Sequence, residues 1–184
     1  MVKVSTLVPA DGFEFCVPAR RDDWDYLGGA FVGNSLKQSW RTFSVELVHK
    51  DEGRNLQSSD SPWLQSQSPV FTRSAAGLLE PILSQHGELL PLQCPEADLV
   101  LLNVTHVIDA LDEAASTIAR LPDGRILNVE RYVLKPDAIR GSNIFKMTKL
   151  RSSPVFVTDE FVKHWRALGL RGLEFGEIWS AARD

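Results

Sequence analysis

The pattern of apolar and polar positions is most orderly between Ser153 and Trp179, SPVFVTDEFVKHWRALGLRGLEFGEIW, where its period changes twice. A strand reading comes first. Helical spacing then takes over, with Phe161, Val162, Trp165 and Leu168 on one face and Lys163, His164 and Arg166 on the other. Thr158 stands where its hydroxyl is expected to accept free amides of the first turn, and Asp159 and Glu160 lie at the positive end of the helix dipole. Gly169 is placed to take the left-handed conformation that ends a helix, and the chain then returns as a second strand. Ser68 to Leu92, SPVFTRSAAGLLEPILSQHGELLPL, echoes this plan: Ser-Pro-Val-Phe, a Thr ahead of an apolar helical pattern, and a Gly before a return strand. Its stripe is Leu78, Leu79, Ile82 and Leu83. Pro81 removes one amide and presses on the carbonyl of Gly77, which predicts a kink or two short turns. Duplication and coincidence both account for the echo.

The remaining pattern is mostly strand-like. Val4 to Val8 and Phe13 to Val17 read as strands joined by the turn residues Pro9 to Gly12, which predicts an opening hairpin. Thr42 to His49 alternates, with Phe43, Val45 and Leu47 on one face, as a half-buried strand does. Lys50 to Gln67 is almost entirely polar and reads as a long loop. Glu88 to Leu92 and Ala97 to Asn103 are strands, and the unbroken run from Leu99 to Leu102 belongs at the centre of a sheet. Val107 to Leu111 fits either a short helix or an extended segment ahead of a turn capped by Asp112, and we favour the extended form. Thr117 to Leu121 and Arg125 to Val129 flank Pro122-Asp123-Gly124 and predict a hairpin. Arg131 to Leu134 and Asn143 to Thr148 complete the strands, with Gly141 marking the approach to the last. The class that follows is α+β: a mostly antiparallel sheet with two principal helices and two echoing strand-helix-strand units.

Composition changes little. The 184 residues suit one domain, 1–184, with 1–32 as an N-terminal hairpin portion, and 43% hydrophobic and 24% charged residues are ordinary for a globular chain. A net charge of −4 disfavours nucleic acid as a direct partner and suits a basic one. Cys16 and Cys94 are far apart and outside any metal-ligand spacing, so they read as reduced, buried thiols of a cytoplasmic protein. The opening apolar run is too short for a signal peptide, and no span has membrane length, so neither export by a classical signal nor a membrane partner is expected.

The search for chemistry yields no catalytic constellation, no metal site and no cofactor site. Gly28 to Ser35, GGAFVGNS, has the spacing of a phosphate-binding loop, but Asn34 stands where the lysine belongs, and a plain glycine-rich turn is the better reading. His49, His86, His106 and His164 share no ligand spacing and read as solvated or core-satisfied. Asp109, Asp112 and Glu113 form a carboxylate cluster in which Asp112 reads as a turn cap. Trp40, Trp63, Trp165 and Trp179 are core candidates. The stretch Asp22, Asp23, Trp24 and Asp25 is the candidate partner-binding site, since tryptophan anchors interfaces and flanking acids would steer a basic partner, although a solvated face with one packed tryptophan accounts for the same residues.

These segments together resemble the eleventh family of the bacterial polymorphic-toxin immunity proteins, formerly a domain of unknown function. The residues that carry the resemblance are Asp60-Ser61-Pro62; Pro69 to Thr72 with the helix to Leu83; Leu89 to Leu92; Val107 to Asp112 with Ser116; Asn143 to Lys146; and Val155 to Phe161 through Gly169, Gly172 to Phe175 and Trp179. They run from about Gly33 to Trp179; Pro81 and the residues before Gly33 depart from the pattern. The resemblance implies a non-enzymatic cytoplasmic protein that binds a cognate toxin domain and neutralises it, with no cofactor and no catalytic residues. Two other readings compete. One is a hydrolase-like enzyme with a dispersed site using Asp109 or Asp112 near His106. The other is a scaffold that self-associates through an uncovered strand edge.

Overall fold

The computed structural model describes residues 2–181. Strands β1 (Lys3–Pro9) and β2 (Phe15–Pro18) lead into helix α1 (Arg21–Ala30), followed by β3 (Val45–Val48) and the short β4 (Lys50–Asp51) and β5 (Arg54–Asn55). Next come β6 (Val70–Thr72), α2 (Arg73–Leu83), β7 (Gly87–Pro91), β8 (Leu99–Val104) and β9 (Val107–Ile108). The hairpin strands β10 (Thr117–Arg120) and β11 (Ile126–Arg131) precede α3 (Pro136–Ile139), β12 (Ile144–Met147), β13 (Phe156–Thr158), α4 (Asp159–Ala167) and β14 (Leu173–Ser180). The class is α+β as expected, but the strands divide among several small sheets rather than one.

The two echoing stretches share a topology. In the three-stranded sheet the order is β6-β8-β7, and β8 is antiparallel to both neighbours. In the five-stranded sheet, ordered β14-β1-β13-β12-β9, β1 is likewise antiparallel to β13 and β14. Each strand-helix-strand crossover therefore leaves a gap one strand wide, filled by an antiparallel strand. The first gap takes the next strand in the chain, and the second takes the strand from the opposite end. This corrects the expected opening hairpin: both edges of β1 are occupied, so β2 pairs with β3 instead. The central, fully buried position of β8 is as its apolar run predicts.

Helices α2 and α4 meet over a common core that joins Phe71, Leu79 and Leu83 to Phe161, Trp165 and Leu173. Phe71 and Trp165 lie 6.2 Å apart between ring centroids, and Phe175 meets Trp165 edge-on at 6.3 Å. Two stripe residues depart from expectation: Leu78 and Leu168 are exposed, and Ala75 and Ala76 take the close contact on α2. Small side chains let that helix approach its sheet. Pro81 does not split α2, which stays one helix and ends two residues beyond the proline.

Capping also differs between the copies. Thr72 Oγ1 accepts the Ala75 amide at 3.2 Å. Thr158 does not cap α4; its hydroxyl donates to Ser142 O at 3.0 Å, because the side chain is buried against the segment between α3 and β12. Gly169, at φ 67°, closes α4 as predicted. The expected strand from Arg131 to Leu134 is mostly irregular, with only a bridge between Leu111 and Leu134, whereas the β10–β11 hairpin and the extended Val107–Ile108 form as read. Among the described residues no helix is long and apolar enough to cross a membrane.

The long polar segment before β6 ties the two units together. Asp60 donates its amide to Arg171 O at 3.0 Å, accepts the Arg171 amide on Oδ2 at 2.8 Å, and accepts the Thr72 amide on its carbonyl at 2.9 Å. Nearby, Val155 N donates to Ser66 O at 3.0 Å. Gly172 makes this bracket possible: it has φ 105°, and a Cβ there would lie 1.9 Å from Ser59 Oγ. Gly172→Ala should therefore lower stability by more than about 1 kcal/mol, through backbone strain plus the clash. Adding Ser59→Ala, which removes the nearest atom, should recover part of that loss in urea unfolding, and an unchanged midpoint for the single variant would show that the bracket does not hold the units.

Candidate functional site

The stretch proposed for partner binding folds as the helix α1, whereas the sequence reading placed it in the N-terminal hairpin portion, 1–32, and gave it no helix. Helical periodicity was hidden because one inward position is a carboxylate: Asp23 is buried beside Leu27, while Asp22, Trp24 and Asp25 face outward. Arg41 explains the buried acid. Its Nη2 donates to Asp23 Oδ1 at 2.6 Å, and its guanidinium lies 5.0 Å from the centre of the Tyr26 ring. Asp23 thus contributes nothing to surface charge. The exposed charges at this end of α1 are Arg20, Arg21, Asp22 and Asp25, two of each sign.

An acidic surplus lies close by. A groove of about 800 Å³ runs between β3 and the Leu92–Asp98 segment, beginning at Ala19 just before α1. Its charged lining is Glu46, Glu96 and Asp98. Asp98 is paired with Arg73 at 3.2 Å, and Glu96 accepts from His49 Nε2, whose other nitrogen meets Glu14 at 2.7 Å. These hydrogen bonds, Glu96 first and Glu14 second, raise the His49 pKa above its ordinary value. Because the carboxylates sit on opposite nitrogens of one ring, the three groups do not converge on a point where a metal ion would bind. Glu46 and Asp25 have no cationic partner within 4.0 Å among the described residues. Trp24, next to Asp25 in the chain and 45% exposed, is a large apolar side chain left in water.

The hydrolase reading finds different partners from those expected. Asp109 is paired with Lys135 at 2.7 Å, and Asp112 Oδ1 accepts the Ala114 and Ala115 amides at 3.1 Å, the turn cap foreseen. His106 Nε2 instead meets Ser142 Oγ at 2.8 Å, a contact that no sequence spacing announced. His86 lies edge-on to His106 with centroids 4.9 Å apart. The Asn143 amide donates to His86 Nε2, so Nδ1 carries the proton that Ile82 O accepts at 2.9 Å. Burial, and then the neighbouring His86, lower the His106 pKa. The pair lacks the other parts of an acyl-transfer site. Neither carboxylate orients His106, Ser142 is buried, and the amides of Ser142 and Asn143 are spent on Ile139 O and His86, leaving neither to hold an oxyanion.

Of the expected glycine-rich turn, Gly28 to Ala30 belong to the last turn of α1 and only the residues from Phe31 on are irregular, and these likewise serve the fold. Ser35 Oγ donates to the buried Glu88 at 3.0 Å, the Leu36 amide donates to the same carboxylate, and Asn103 Nδ2 joins it at 2.7 Å. The anion at this loop is one of the protein's own side chains. Cys16 is buried, which pushes its thiol up to about 12, and Cys94 is half-buried; both are free. No group of three or more potential ligands for a metal ion occurs among the described residues.

Lys146 is the least compensated charge. It is fully buried in β12 and its ammonium donates to Ser153 O at 3.2 Å. Burial pulls its pKa down to about 8.

The described fold is a small α+β one that carries an exposed tryptophan on α1 and, between β3 and the Leu92–Asp98 segment, an acidic groove. Residues 93–180 match the model of the immunity protein family Imm11, the family that the sequence resembles. The match covers β8 to β14; the resembling segments Asp60-Ser61-Pro62, Pro69 to Thr72 and Leu89 to Leu92 lie before it. Comparison with curated proteins gives no match.

Two substitutions test this electrostatic layout. Lys146→Met should raise stability at pH 7 by roughly 3 kcal/mol, since a shift from 10.5 to about 8 is a folding penalty of that order. Between pH 8 and 10.5 the unfolded wild type binds the proton more tightly, so wild-type stability should rise through that window and the advantage of the variant should fade. Lower stability of Lys146→Met at neutral pH would sink this account. Arg41→Ala should cost roughly 1–3 kcal/mol in denaturant unfolding, because it strands Asp23 in the core.

Proposed function

We propose that the protein is a cytoplasmic immunity protein that binds a cognate bacterial toxin domain and neutralises it by occlusion, without catalysis. The match of residues 93–180 to the immunity family carries this reading. The surface is the outward face of α1, with Asp22, Trp24 and Asp25, together with the acidic groove that begins at Ala19 and carries Glu46. Its chemistry fits a basic toxin domain: an exposed indole supplies an anchor, and uncommitted carboxylates speed association with positive charge and exclude acidic competitors. Asp23 acts from inside, by holding α1 and Arg41 in place.

Calorimetric titration against an inactivated toxin domain encoded beside this protein tests the reading. A one-to-one complex is expected, with Trp24→Ala and Asp25→Lys/Glu46→Lys each weakening it by roughly tenfold or more, about 1.4 kcal/mol. No complex with a folded toxin domain would overturn the immunity reading, and full affinity in both variants would move the interface elsewhere. Asp23 is unsuited to this test, because its loss destabilises the helix itself.

A further inference from the structure

A second groove, of about 830 Å³, opens between the β10–β11 hairpin and the Thr148–Ser153 segment after β12. Its walls pack on the core of Phe145, Met147 and Val129, whereas α1 and the acidic groove pack on the core around Phe43 and Val45. The two surfaces therefore grow from different parts of the fold, and their charges are opposite. Arg120, Arg125, Lys149 and Arg151 line this groove against Glu113 and Asp123.

The arrangement is fixed by its own contacts. Glu113 accepts from Arg120 Nη2 and also from Lys149, so one carboxylate holds a cation from the hairpin beside a cation from the opposite wall. Asp123 pairs with Arg125 at 2.8 Å, while Arg151 has no carboxylate within 4.0 Å among the described residues. Lys146 Nζ holds Ser153 O from beneath, and the Ser153 amide donates to Leu150 O at 2.9 Å, which closes the far wall. Between the cations lies Leu127, which at 64% exposure leaves more of its side chain in water than Trp24 or Leu78. A preformed cationic rim around an open apolar side chain is half of an interface.

We infer that this groove is a second interaction surface whose occupant is an acidic protein segment, with an apolar side chain to cover Leu127 and a carboxylate to meet Arg151, in the net positive field that Arg125 and Lys149 share with it. Charge complementarity supports an acidic occupant, and Leu127 selects protein over nucleic acid. Binding to a phosphate backbone draws on several uncommitted cations, and here three of the four are already paired with Glu113 or Asp123. An acidic peptide needs fewer, and gains the burial of the leucine.

The test needs no toxin, so it stands or falls apart from the immunity reading. Random linear peptides displayed on phage are panned on the whole protein, and the selected sequences are synthesised and measured by fluorescence anisotropy. Peptides with Asp or Glu flanking a large apolar residue should be selected, and their affinity should fall with added salt. Leu127→Ser and Arg125→Glu/Arg151→Glu should each weaken them by roughly tenfold or more, while Leu78→Ser, at an exposed leucine of α2, should leave them unchanged. Selection without an acidic consensus, or peptides indifferent to Leu127→Ser, would overturn the proposal. So would a single-stranded RNA that binds the same residues more tightly than any peptide, or a dimer in sedimentation velocity that Leu127→Ser abolishes.

Discussion

Each strand-helix-strand crossover in this fold brings two parallel strands to either side of an empty position, and the backbone groups facing that position must be paired. β8 fills the first gap locally, with six buried residues, while β1 fills the second from the far end of the chain. The second unit therefore cannot form its sheet until the N-terminus arrives. The two units then share one core through α2 and α4, and Asp60 hydrogen-bonds both the strand leading into α2 and the loop leading into β14. Folding is thus expected to be cooperative across the described chain, since the core between α2 and α4 draws on both units.

Buried polar groups follow the same logic with unequal success. Glu88 and Asp23 are both carboxylates inside the fold, and both are justified by what they hold: Glu88 the segment after α1, Asp23 the guanidinium of Arg41. Lys146 has only a carbonyl for its ammonium, so burial weakens its hold on the proton. That carbonyl belongs to Ser153, the residue that closes the wall of the cationic groove. The buried charge and the wall of the groove are consequently linked at one residue.

The sequence revealed elements wherever a local rule sufficed: the Pro-Asp-Gly hairpin, the apolar run of β8, the glycine that ends α4, the Asp112 turn. It concealed whatever depended on a distant partner. The opening hairpin failed because β13 and β14 compete for β1 from more than 140 residues away. Thr158 looked like a cap until Ser142 claimed its hydroxyl. α1 was invisible because Asp23 occupies a core position that only Arg41 makes tolerable. At the candidate site, Asp25 was legible as a surface residue, whereas the exposure of Trp24 was not, since a tryptophan is more often packed. Neither the acidic groove nor the contact of His106 with Ser142 could be, because each joins segments with no common sequence pattern.

The extent of the family match sharpens the functional argument. Residues 93–180 include β8 but not β6 or β7, and β13 and β14 but not β1. Taken alone, that stretch would leave β8 without both neighbours and β14 without its only one, so it is not a folding unit. Residues before 93 complete both sheets, and they also carry α1, β3 and one wall of the acidic groove. The cationic groove, by contrast, lies wholly within the matched residues. A binding surface particular to this chain is more naturally placed on the part outside the family pattern, where side chains can vary around α1 without disturbing the crossover that β1 and β8 complete.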